Sequence, residues 1–166
     1  MFPTDVPAYD GGMAQSFSQL FRDLVPRYFD EPWSREDGWS REELDVALSE
    51  AGLDTVPEAL AELYLAVGAV EDLMEAYYYV WDPDELEVQD GFLLFMEDED
   101  ETYTWGLPAD ALDVPDPLVH RRDARGNWMS TEATLSEYLL DYYAWVFEEI
   151  APAVESAQEE DDEGRG

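Results

Sequence analysis

The chain has 166 residues, which suits one domain with an extension, and its 46% hydrophobic and 14% aromatic content supplies a core, excluding a wholly disordered protein. Its 42 acids against 8 bases give a formal charge of −34. Nucleic acid and anionic membranes are thereby excluded as partners, because phosphate affinity needs cationic contacts that release counterions.

Residues 1–12, punctuated by Pro, Gly and Asp, read as a mobile lead-in. Met13, Phe17, Leu20, Phe21 and Leu24 follow helical spacing, with Pro26 as the stop. PRYFDEPWSREDGWS reads as a breaker-rich loop with exposed aromatics. Ser40 with Glu43 makes a capping box that opens a helix with an inward stripe of Leu44, Ala47, Leu48 and Ala51. Gly52 ends it in the left-handed conformation. The next helix has Pro57 in its first turn, Leu60, Leu63, Tyr64 and Val67 on one face, Glu58 and Glu62 on the other, and Gly68 after its last turn.

The period then changes. AYYYVW, GFLLFME and TYTWGL are short apolar runs separated by Asp-Pro, Asp-Gly and acidic segments, and they read as strands, with Asp90-Gly91 as a turn. LVHRR and NWMS, on either side of DARG, read as two further short strands. A long helix over about 134–149 closes the chain, with Leu135, Tyr138, Leu139, Tyr142, Trp145 and Val146 in one stripe and little polar surface, as expected of a helix packed across a sheet. The order predicts an α+β fold: a twisted, mainly antiparallel sheet packed by helices. The expected division is an N-terminal extension with one short helix (1–39), a domain (40–152) and an acidic disordered tail (153–166).

The stretch ESAQEEDDEGRG holds six acids and one arginine, −5 of the total, so −29 resides on the rest of the chain. All 8 bases are arginine, which a GC-rich genome and life in high salt both account for. The absence of cysteine excludes disulfides and cysteine-ligated zinc. The first residues lack the basic and apolar regions of a signal peptide, and no apolar run approaches the ~18 residues of a membrane span. A cytoplasmic protein is expected.

Five successive carboxylates, Glu97, Asp98, Glu99, Asp100 and Glu101, stand between one apolar segment and an aromatic one. As a calcium loop the stretch fails, because Tyr103 occupies the position where the sharp turn needs glycine. On an extended strand, alternate acids point to opposite faces and do not converge. No metal and no cofactor is expected. With 42 acids, a catalytic carboxylate pair has no way of standing out, and His120 is the only histidine. No GxSxG, phosphate-binding loop or GxGxxG is present. Tyr77, Tyr78, Tyr79, Trp81, Tyr103 and Trp105 suit either a ligand-stacking surface or cross-strand pairing in a half-buried sheet.

Four segments in order carry a resemblance: EAGLDTVPEALAELYLAVG, DGFLLFMEDEDETYTWGL, DPLV and LSEYLLDYYAWVFEEI. Through Gly52, Val56-Pro57, Gly68, Leu93 to Met96, Trp105-Gly106, Asp116-Pro117 with Val119, and Leu135-Ser136 with Tyr138, the chain resembles the SUKH superfamily of bacterial toxin-immunity proteins and fungal cell-wall regulators. The resemblance covers about residues 40–150; residues 1–39 have no assigned counterpart, and Glu99 and Asp100 depart from the Glu-Asn-Gln-like turn of the family.

The resemblance implies a non-catalytic cytoplasmic protein that binds and blocks a toxin domain, often a nuclease. Nuclease toxins are typically basic, so an acidic inhibitor gains electrostatic steering. The candidate partner-binding residues are Glu97 to Glu101 with Tyr103 and Trp105, and no small-molecule substrate is expected. The alternatives are an acidic scaffold that recruits other proteins and a salt-adapted domain whose acidity serves hydration.

Overall fold

Six strands form one antiparallel sheet in the computed structural model, which describes residues 16–100 and 102–150. They are β1 (Tyr79–Val80), β2 (Glu87–Gln89), β3 (Phe92–Glu97), β4 (Thr104–Pro108), β5 (Leu118–Arg122) and β6 (Trp128–Thr134). The sheet runs β1-β3-β4-β5-β6, and β2 pairs with the first half of the β3 edge that β1 continues. The helices are α1 (Phe17–Arg22), α2 (Leu24–Phe29), α3 (Arg41–Glu50), α4 (Glu58–Val67), α5 (Glu71–Met74) and α6 (Leu135–Trp145), which a π-helical turn extends over Val146–Ile150. This is the α+β class expected, with a long closing helix. The lead-in 1–12, Met13, Glu101 and the tail 153–166 lie outside the described residues.

Local chemistry accounts for most element ends. The Ser40 hydroxyl accepts from the Glu43 N–H at 3.0 Å while the Glu43 carboxylate accepts from the Ser40 N–H at 3.1 Å, and Thr134 with Glu137 repeats this box at the start of α6. Gly52 beyond α3 and the Asp90-Gly91 turn between β2 and β3 adopt positive φ, as their sequence signals require. Asp116 does more than its motif announced. Its carboxylate accepts from the Ser136 N–H at 2.8 Å and the Ser136 hydroxyl at 2.6 Å, pinning the first turn of α6 to the entry of β5. Pro117 and Val119 follow it into the interior.

β3 is covered on both sides. Leu93, Phe95 and Met96 join the core built by the helices, because the pairing with β4 skips Phe95 and bulges the strand. Leu94 lies opposite Gly106, on the face where Phe92 and Trp128 stack at 4.0 Å. A Cβ on Gly106 would stand 3.0 Å from both of those side chains, so the glycine of the Trp-Gly pair gives the two rings room to cross the strand.

Four expectations are corrected. Pro26 does not stop a helix; it lies in the first turn of α2, where a missing N–H costs nothing. The 26–40 stretch is not a loop of exposed aromatics: Trp33 and Trp39 are half-buried, and their indole N–H groups donate to Ala66 O at 2.6 Å and Gly68 O at 3.3 Å. Residues 16–39 are therefore no appendage. Phe21, Leu24 and Val25 are at most 2% exposed and share one core with α4 and the sheet. The strand expected over Ala76–Trp81 is real but reduced to Tyr79–Val80.

Phe21→Ala should lower unfolding free energy by about 3–5 kcal/mol, the cost of truncating a core aromatic. Urea denaturation of the full chain measures this, and a loss below about 1 kcal/mol would return 16–39 to the status of an extension.

Candidate functional site

The acidic turn between β3 and β4 is closed by one of its own carboxylates. Asp98 Oδ1 accepts from the Tyr103 N–H at 3.1 Å, and the Asp98 N–H donates to Tyr103 O at 3.2 Å. Asp98 is thus structural as well as charged. Glu99 and Asp100 are exposed, Glu97 is half-buried opposite Tyr79, and Glu101 lies outside the described residues. Tyr103 is half-buried, and the Arg121 guanidinium stacks on its ring at 4.4 Å.

Trp105 is only 1% exposed and belongs to the core, so it drops out of the candidate contact surface. Its alternation along β4 points it under the helices, where its indole N–H donates to the Tyr138 hydroxyl at 2.6 Å. Above it lies Tyr78, with ring centroids 4.5 Å apart, and Tyr78 stacks in turn on Tyr142 at 5.3 Å. The Tyr142 hydroxyl accepts from the backbone N–H groups of Tyr77 and Tyr78 at 3.0 and 2.7 Å. One phenol on α6 therefore holds the irregular segment ahead of β1 in place.

The outcome is a groove that the sequence foresaw only in part. Tyr77, Tyr78, Tyr79 and Tyr103 line it together with Glu75, Asp98, Glu99 and Asp100, enclosing about 430 Å³, with no basic side chain among the lining residues. Tyr78 also borders a second hollow of about 420 Å³ with Tyr138, Tyr142, Trp145 and Asp141. Tyr77 is 49% exposed and meets the half-buried Trp145 edge-on at 5.2 Å. The spacing of Tyr138, Tyr142 and Trp145 on α6 read as a core stripe; the signal missed is that these residues pair an apolar ring with a polar edge, as suits a half-open surface.

Burial raises the pKa of Tyr78, Tyr138 and Tyr142, that of Tyr142 from its ordinary 10.0 to about 12. Crowding by Tyr138, Tyr77 and Asp98 adds to the effect at Tyr78, while the Trp105 hydrogen bond opposes it at Tyr138. All three are neutral at physiological pH and offer ring faces and hydroxyls. Aromatic faces beside carboxylates suit a cation that is partly stripped of water, such as a guanidinium or ammonium group. His120 lies elsewhere, 5.0 Å from Phe92 on the opposite face of the sheet. The described residues bring no three His, Asp or Glu side chains together in a metal-holding arrangement, and none of their helices is long and apolar enough to cross a membrane.

Tyr142→Phe should cost about 1–3 kcal/mol, since it strands two backbone N–H groups. Above pH 10 the unfolded chain releases phenolic protons that the folded chain retains. Stability should therefore hold below pH 10 and fall as pH rises towards 12, less steeply in Tyr142→Phe. Urea melts at neutral and alkaline pH check both; an unchanged stability and slope would show that the hydroxyl holds nothing.

No family model, curated protein or solved structure matches the chain.

Proposed function

We propose that the protein is a non-catalytic cytoplasmic binding protein that neutralises a basic, nuclease-type toxin domain, taking one of its cationic segments into the tyrosine groove beside the acidic turn. The observation that carries this reading is that Tyr77, Tyr78 and Tyr79 line one groove with Glu75, Glu99 and Asp100, with no base among the lining residues. The resemblance to SUKH immunity proteins and the −29 outside the terminal stretch support the same partner class. Long-range attraction speeds encounter, and the rings and carboxylates then hold an arginine or lysine stem.

Arg121 on Tyr103 is an internal example of the contact expected from the partner. A second reading has one observation in its favour. Acids also cover surfaces away from the groove, as at Glu42, Asp45 and Glu50 on α3, which suits a salt-adapted domain hydrated by its carboxylates.

The test is co-expression with a toxin encoded by the adjacent gene, followed by binding kinetics at low and high salt. Glu75→Gln with Glu99→Gln and Asp100→Asn should slow association on the order of tenfold and flatten its salt dependence, with dissociation changed by less than about threefold. Tyr77→Ala should instead raise the dissociation rate on the order of tenfold. Absence of growth rescue and of binding defeats the immunity reading. Maximal stability only in molar salt, without a partner, favours the salt-adapted one.

A further inference from the structure

A groove of about 830 Å³ runs along α3 and shares no lining residue with the tyrosine groove. Its floor is apolar: Trp39, Ala47 and Val46, the last 55% exposed on a helix that otherwise shows charge to solvent. Trp39 is held by its indole hydrogen bond to Gly68 O at 3.3 Å, so this wall is fixed. The rim carries Glu36, Glu42, Glu43, Glu50 and Asp84, and again no basic side chain lines it. Glu43 engages one oxygen in the cap of α3; no side-chain hydrogen bond or ion pair joins Glu42, Glu50 or Asp84 to another described residue.

The order of these groups along α3 specifies a complement. Glu42, Val46 and Glu50 follow one another at four-residue steps on one side of the helix, about 6 Å apart along the axis. An apolar side chain is thus flanked by a carboxylate one turn before and one turn after. The complement is a helix with an apolar residue flanked, one turn either side, by lysine or arginine, laid into the groove as amphipathic helices are. We propose that the α3 groove docks a cationic amphipathic helix of a partner protein.

The chain's own stretch ESAQEEDDEGRG has the wrong sign for this groove, and a second copy brings another −34 to the contact. The proposal goes beyond the tyrosine groove and holds or fails separately from it.

The experiment uses the full chain, labelled with nitrogen-15, and two synthetic helical peptides. One repeats Lys-x-x-x-Leu-x-x-x-Lys, and the other has Glu in place of Lys. The cationic peptide should give saturable shifts at the Trp39 indole N–H and the α3 amides. Its Kd should weaken at least about tenfold in Glu42→Lys/Glu50→Lys and in Val46→Asp, whose exposed positions leave the rest of the spectrum unchanged. The triple variant Glu75→Gln/Glu99→Gln/Asp100→Asn should bind it as the parent does, which separates this site from the tyrosine groove. Equal binding of the anionic peptide, shifts confined to other surfaces, or concentration-dependent shifts at α3 without peptide, which mark a second copy as the occupant, would each overturn the proposal.

Discussion

The hydrogen bond from the Trp105 indole to the Tyr138 hydroxyl, made under the ring of Tyr78, is the contact on which the candidate site rests. Trp105 comes from the middle of the sheet, Tyr138 from the closing helix, and Tyr78 from the irregular segment before β1. Each alone is awkward to bury. A buried indole N–H without an acceptor costs about 1–3 kcal/mol, and a tyrosine row of which only Tyr79 belongs to the two-residue β1 has little backbone pairing to hold it. Together they satisfy one another, and Tyr142 adds the acceptor that Tyr77 and Tyr78 need. The groove is thus the outer surface of a core contact, and Tyr77 and Tyr78 are held in place by the chain's own contacts.

Charge is arranged around this frame. Glu42, Asp45 and Glu50 on α3 and Glu99 and Asp100 on the β3–β4 turn are exposed, where water screens them, and the ion pair Arg122–Asp90 at 3.4 Å is itself near the surface. Where acids crowd, the strain registers. Burial and then Glu85, Asp84 and Glu75 raise the pKa of Asp82, at the turn that connects the neighbourhoods of the two grooves. The raised pKa of Asp82 means that the folded chain resists holding this charge as pH climbs above the ordinary carboxylate range, so its burial, and then the crowding, oppose folding at neutral pH. Added salt screens that repulsion.

Much of the fold was legible because the responsible chemistry is local. Ser40 with Glu43 and Asp90 with Gly91 each act within a few residues, and the helix and turn they announce appear where expected, whereas the period change after Gly68 announces strands but neither α5 nor β2. The role of 16–39 was not legible. Phe21, Trp33 and Trp39 reach partners on or just beyond α4, and nothing near them in sequence encodes such distant contacts. The turn residues Glu99, Asp100 and Tyr103 were found from charge and aromatic neighbours alone, whereas Trp105, singled out on the same grounds, faces inward because strand alternation and burial outweigh proximity to the turn. Glu75, Tyr142 and Trp145 join the site only through the packing of α6 against the segment before β1, a tertiary fact without a sequence motif.

Amide hydrogen exchange of the full chain, with and without a basic toxin domain of the proposed class, tests the central claim most directly. New protection should concentrate in 75–79, 98–100 and Tyr103, the residues that line the tyrosine groove. Protection confined to the β5–β6 side of the sheet, or none at saturating toxin, would contradict it.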